Sequence, residues 1–210
     1  MKNILLGLLV LSTSAFAGGS GSIGYGSDYI FRGASQAGTP VVHASYTVES
    51  EGFYLGAWAS QVDFGDTTSR EIDYFGGYNL AVTDKVSLDV GYVRYTYDAN
   101  IDSLEELYVI ASFGGLSLGA YQDLDTDDTY AEIGYDLWFV PVVDVKLIYG
   151  LRDEDDTFAM LNVTKNVGDY TFGLLIGEDV LDGTASDSLT ASLRPSCRKH
   201  NRMQPALSSM

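Results

Sequence analysis

Cysteine, histidine and proline are all scarce in this chain of 210 residues. A single cysteine, Cys197, excludes an internal disulfide framework. With only His43 and His200 beside it, no clustered ligand set exists for a structural zinc. Basic residues are few as well: 12 Lys and Arg stand against 29 Asp and Glu, a net charge of −17. That balance argues against nucleic acid as a partner, since its binders carry basic patches. No internal run approaches the ~18 consecutive apolar residues of a transmembrane helix. No glycine-rich phosphate loop precedes a helix, and no cofactor is expected.

What is present begins with a leader. Lys2, the apolar run Ile4–Leu11 and Ala15-Phe16-Ala17 read as the three regions of a secretory signal peptide, residues 1–17. Behind it, 15 Tyr and 23 Gly beside four Pro fit aromatic-rich strands with closely packed backbone. Apolar and polar residues alternate with period two, the signature of half-buried strands. Val86, Leu88, Val90 and Tyr92 oppose Ser87, Asp89 and Gly91; Ala131, Ile133, Tyr135, Leu137 and Phe139 oppose Glu132, Gly134 and Asp136. Val143, Val145, Leu147, Tyr149 and Leu151 oppose Asp144, Lys146, Gly150 and Arg152.

Twelve strands are expected: Ser22–Phe31, Val41–Val48, Phe53–Val62, Glu71–Val82, Val86–Tyr97, Glu105–Phe113, Leu116–Asp123, Tyr130–Phe139, Val143–Arg152, Thr157–Lys165, Tyr170–Glu178 and Asp187–Leu193. Their joints alternate between short turns and longer acidic loops, which is the layout of an outer-membrane β-barrel. A soluble β-sandwich alternates in the same way. Three features favour the membrane: the export signal, the recurrence of Leu, Val, Ile and Tyr on one face, and acids with glycines on the other. The expected fold is therefore all-β, an antiparallel transmembrane β-barrel of twelve strands over residues 18–193. Both termini would lie at the short-turn, periplasmic side. Arg94 is a misfit, because alternation from Val86 aims it at lipid; a bulge or a position near the outer rim would resolve this, and the rim is the expectation.

The string Ser27-Asp28-Tyr29-Ile30-Phe31-Arg32-Gly33-Ala34-Ser35-Gln36 reads as the end of strand one. Tyr29 and Phe31 would join an aromatic girdle, Gly33 would open the loop, and Asp28 and Arg32 would pair near the barrel mouth. This string resembles the signature of the TorF-like porin family, proteobacterial outer-membrane barrels of unestablished substrate. The resemblance continues through Gly56-Ala57-Trp58-Ala59-Ser60-Gln61-Val62-Asp63-Phe64, Glu71-Ile72-Asp73-Tyr74, Gly77-Tyr78 and Gly91-Tyr92. It implies a channel role with no established catalytic residues, in the outer membrane of a Gram-negative cell. The chain departs from that pattern at its end. Arg194–Arg202 contains Pro195 and several bases where a terminal aromatic strand is usual. Residues 194–210 are expected to be a frameshifted or read-through tail, the alternative being a functional basic tail.

Twenty of the 29 acids gather at five long joints, in groups around residues 63–73, 98–106, 123–128, 153–156 and 178–187. Asp125, Asp127, Asp128, Asp153, Glu154, Asp155 and Asp156 are candidates for a negative funnel that concentrates cations; the alternative is a solvated rim. Candidate pore-lining residues are Asp28, Arg32, Glu71, Asp73, Asp89, Glu132, Asp136, Asp144, Lys146 and Arg152. Carboxylate rings favour cations in a pore, whereas paired acids and bases would serve as structural glue. No metal site is expected. His43 and Ser45, at i and i+2 on one face, are the weak basis for a hydrolase alternative. The expected function is passive diffusion of small solutes with a cation or neutral preference. The alternative is a non-conducting structural or surface-interaction barrel with cation-binding loops. Expected partners are outer-membrane lipid and lipopolysaccharide, the barrel-assembly machinery and small solutes.

Overall fold

Period-two alternation closes into a ring. The computed structural model describes residues 19–99, 101–153, 156–179 and 185–193. The expected leader, the tail from Arg194, and Glu154, Asp155 and Asp182 lie outside them. The strands are β1 (Gly19–Gly26), β2 (Ile30–Phe31), β3 (Ala34–Ser35), β4 (Val41–Ser50), β5 (Phe53–Gln61), β6 (Arg70–Ala81) and β7 (Val86–Tyr97). They continue with β8 (Leu104–Phe113), β9 (Leu116–Asp123), β10 (Thr129–Asp136), β11 (Asp144–Asp153), β12 (Asp156–Val167), β13 (Tyr170–Asp179) and β14 (Ala185–Leu193). All but β2 and β3 form one closed antiparallel barrel of twelve strands, and β1 pairs with β14 to shut it. That seam is short: it runs from Ile23↔Leu193 to Gly26↔Thr190, four pairs, against nine between β13 and β14.

The pleat explains which residues face out. On β7, Ser87, Asp89, Gly91, Val93 and Tyr95 are buried inside, while Val90 between them is half exposed on the outer wall. Leu55, Leu107, Leu118, Ile133, Leu147 and Leu151 repeat this outward exposure around the ring. Water penalises apolar surface by roughly 25 cal/mol per Å², so a continuous belt of such residues suits hydrocarbon, and closure leaves no unpaired edge within it. Exposed aromatics mark one boundary of the belt. Phe53, Tyr78, Phe113, Trp138, Tyr170 and Phe172 all sit at the end of the short turns, where amphipathic rings suit a membrane interface.

Several expected boundaries are corrected. Strand one ends at Gly26, not Phe31, and the residues after it form a separate hairpin, β2–β3. Strand β10 stops at Asp136, and residues 137–143 turn through hydrogen bonds from Leu137 N–H to Val145 O and Val140 N–H to Leu137 O. Strands β11 and β12 run on until Asp153 pairs with Asp156, so the long acidic joint expected there spans only two residues. Arg94 does face outward, three residues before β7 ends. It meets Glu105, its direct cross-strand neighbour, at 3.3 Å near the long-loop rim.

Candidate functional site

The joint between β1 and β4 folds into the barrel. Asp28 organises its base: Oδ1 accepts the N–H of Tyr29 at 2.7 Å and of Gly38 at 2.9 Å, and Oδ2 accepts the Ser35 hydroxyl at 2.7 Å. The expected Asp28–Arg32 pair does not form, because the carboxylate is committed to these donors. Arg32 (φ +47°) and Gly33 (φ +82°) make the turn, both left-handed as a tight two-residue hairpin turn demands. Gly33 lies flush against the wall: a Cβ there would come within 2.7 Å of the Phe158 Cβ.

The hairpin is held by polar and aromatic contacts. Both Glu106 carboxylate oxygens accept hydrogen bonds from Arg32 Nη2 at 2.8 Å, and the Tyr95 hydroxyl donates to the same carboxylate at 3.3 Å. The Arg32 guanidinium lies 3.8 Å from the Tyr130 ring centre, 4.7 Å from that of Phe31 and 5.0 Å from that of Tyr121. Arg152 bonds Asp156 through Nε and Nη2 at 2.9 and 2.8 Å and donates from Nη1 to the Arg32 carbonyl at 2.8 Å. Tyr29 and Phe31 are therefore lumenal rather than members of an outer girdle. Tyr29 packs on Trp58 with ring centres 4.9 Å apart and donates to Glu71 at 3.3 Å.

The lumen was expected to be lined by acids and glycines, and aromatics fill much of it. One cluster joins Tyr29, Tyr54, Trp58, Phe75, Val93 and Tyr95; a second joins Ile30, Tyr130, Ile148, Phe158 and Met160. Many of the glycines make room for these rings. Tyr54 pairs directly across the ladder with Gly77, and Tyr108 with Gly91. A Cβ at either glycine would fall 2.3 Å from its partner's hydroxyl. The two hydroxyls meet at 2.5 Å, and Tyr54 donates onward to Asp89 at 2.6 Å, so Tyr108 donates to Tyr54.

The acids expected to line a pore separate into three groups. Glu71, Asp73 and Asp89 are buried on the inner face, and Glu132 is half-buried there, accepting from Tyr130 at 2.6 Å and Tyr121 at 3.2 Å. Asp73, fully buried, has the Glu71 carboxyl as its neighbour. Asp136 and Asp144 are exposed at the short-turn rim. Lys146 sits opposite Asp136 and crosses the inner face at Gly134.

Among the loop acids, Asp123 Oδ1 accepts the N–H groups of Asp125 and Thr126, and Asp125 Oδ2 accepts that of Glu105 at 2.8 Å. Asp128 holds the Thr126 hydroxyl, and Asp127 takes φ +63°. Asp156 faces inward beside Arg152. The Asp153 backbone belongs to the ladder, but its carboxyl, like Glu154 and Asp155, lies outside the described residues. Glu106, read from sequence as a loop acid, is an inward residue of β8; alternation counted from Leu104 places it with Tyr108 and Ile110. His43 and Ser45 both face inward, with the Ser45 hydroxyl 2.7 Å from that of Ser22.

Above the hairpin, a cavity of about 260 Å³ is lined by Phe31, Arg32, Gln36, Asp123, Asp128 and Arg152, among others. Below it, toward the short turns, the inner face carries half-buried Ser22, Ser45, Asn79, Ser112, Asn162 and Thr190.

Residues 12–122 match a family described as "Bacterial protein of unknown function (Gcw_chp)". The matched span ends within β9 and contains the hairpin. No curated protein matches the sequence. Among solved structures, "KdgM porin" superposes with a TM-score of 0.62 at 8% identity, covering 83% of this chain and 98% of that one. "KdgM porin in complex with disordered oligogalacturonate" gives 0.61 at 8% identity over the same shares. A membrane protein from a study of in-meso crystallization gives 0.56 at 10% identity, covering 87% of this chain and 85% of that one. At these identities the likeness is one of fold: a closed, porin-like barrel of twelve strands.

Proposed function

Because the chain belongs to the Gcw_chp family, whose members carry no assigned activity, we propose its role from the barrel itself: an outer-membrane channel for passive diffusion of small cationic or neutral solutes, with residues 27–40 as a resident plug. The apolar belt, its aromatic boundary and the TorF-like string in the matched half support the location. The lumenal charge supports the selectivity, and it is the observation that carries this reading. Once Arg32 is paired with Glu106 and Arg152 with Asp156, the inner face still holds Asp89 and Glu132, and the neighbouring buried carboxyls Glu71 and Asp73, which do not both carry a charge, against Lys146. Carboxylates left in excess in a narrow, low-dielectric passage attract cations and repel anions. An acidic oligosaccharide, of the kind named with one porin of this fold, would meet that same excess of negative charge and be disfavoured.

A second reading, a non-conducting structural barrel, draws on the hairpin, which with its aromatic neighbours fills the long-loop half of the lumen. The hydrolase alternative finds the Ser45 hydroxyl engaged by Ser22. Planar-bilayer recording separates the first two. The wild type is expected to conduct in brief openings, and a variant with residues 29–37 replaced by a flexible linker to conduct continuously. A KCl gradient should give a reversal potential of cation-selective sign. Silence from both folded proteins rejects the channel, and anion preference rejects the charge argument.

A further inference from the structure

The surroundings of the Arg32 guanidinium have the makeup of a ligand site. Glu106 is 5% exposed and offers both oxygens of a buried carboxylate to one guanidinium nitrogen, Nη2. Tyr130 and Tyr121 offer ring faces, and both are fixed from behind by hydrogen bonds to Glu132. These walls stand on β8, β9 and β10, so they remain when the hairpin moves; only Phe31 leaves with Arg32. A carboxylate flanked by aromatic faces recognises a delocalised or alkylated cation better than a compact, strongly hydrated one. The residue that fills this site does so in a left-handed conformation, unfavourable for a non-glycine residue. The cavity of about 260 Å³ above it is an approach from the long-loop side.

We propose that Glu106, Tyr121 and Tyr130 form a binding site for solutes bearing a guanidinium or alkylammonium group, and that Arg32 occupies it as an internal substitute when no solute is present. A solute that takes the site displaces Arg32 and frees the hairpin, so the transported class and the opening of the plug are coupled. The identity of the solute as cargo rests on the channel reading; the binding itself does not.

Trp58 reports the hairpin directly, since its ring packs against Tyr29 at the hairpin's base, tilted by 52°. In a Trp138→Phe background it is the sole tryptophan. Methylguanidinium chloride is titrated into the folded protein in detergent, with KCl as the ionic control. In the otherwise wild-type protein the probe is expected to change Trp58 emission saturably, and KCl is not. Arg32→Ala, which vacates the site, should bind the probe roughly tenfold tighter by calorimetry, and adding Glu106→Gln should remove that gain. The proposal is overturned if methylguanidinium acts no differently from KCl on the Trp138→Phe protein, an arm that needs no change at the site. It is equally overturned if folded Arg32→Ala binds the probe no better than its Glu106→Gln derivative. Binding without conductance retains the site and removes the channel; conductance without binding does the reverse.

Discussion

At the scale of single residues, glycine and the aromatics divide the inner wall between them. A ring at the crowded inner face needs its cross-strand neighbour to lack a side chain, and Gly77 and Gly91 meet that need for Tyr54 and Tyr108. Both pairs lie across junctions closed by long loops, β5–β6 and β7–β8, so no tight turn fixes which residues face each other there. Reading the inner face only for charge leaves Tyr54 and Tyr108 without a role and assigns Tyr29 and Phe31 to the girdle. The Arg32-Gly33 turn was less legible, because its geometry depends on Phe158, more than a hundred residues away. Gly33→Ala joins a positive φ to a 2.7 Å approach, so hairpin docking should weaken by about 1–3 kcal/mol. The check is Trp58 emission in the Trp138→Phe background, expected to shift to the red; an unchanged spectrum would show that the turn tolerates a methyl group.

At the scale of elements, strand existence and facing were legible from alternation, while ends depended on contacts that sequence does not display. Asp98, just past β7, illustrates one such contact. Its carboxylate accepts the Ser69 hydroxyl at 2.6 Å, the Ser69 N–H at 2.9 Å and the Arg70 N–H at 3.1 Å, tying residues 62–69 to the next joint. These bonds, with the Ser69 hydroxyl first among them and the Arg70 charge adding to them, lower its pKa from 3.8 to about 2. A carboxyl whose folded-state value is depressed contributes fully above its unfolded value and loses that contribution as pH falls through the folded one. Amide-exchange protection at Ser69 and Arg70 is therefore expected to hold above about pH 3.8 and to fade toward pH 2. Asp98→Ala should lack that protection already at neutral pH. Protection that survives the substitution would assign the tether to the backbone alone.

At the scale of the whole molecule, twelve antiparallel strands and their in–out sense were legible because lipid and lumen impose opposite demands on alternate residues. The filled lumen was not, since no local pattern distinguishes a loop that leaves a barrel from one that enters it. The aromatic boundary at the short turns adds an orientation argument to the acidic loops opposite. In a Cys197→Ser background, a membrane-impermeant maleimide applied to intact cells should label Asp66→Cys, in an exposed long loop, and spare Asp84→Cys, in an exposed short turn. The reverse pattern would invert the molecule. The β1–β14 seam has a mechanical meaning as well. Among the described residues four ladder pairs, extended by hydrogen bonds of Ser27 to Leu189 and of Asp28 to Ser188, bear the lateral load there, where the next shortest ladder, β10–β11, has six pairs and β6–β7 eleven. A cylinder under tension parts along its least-stitched line, so strain from the surrounding bilayer would concentrate beside β1, the strand that leads directly into the hairpin.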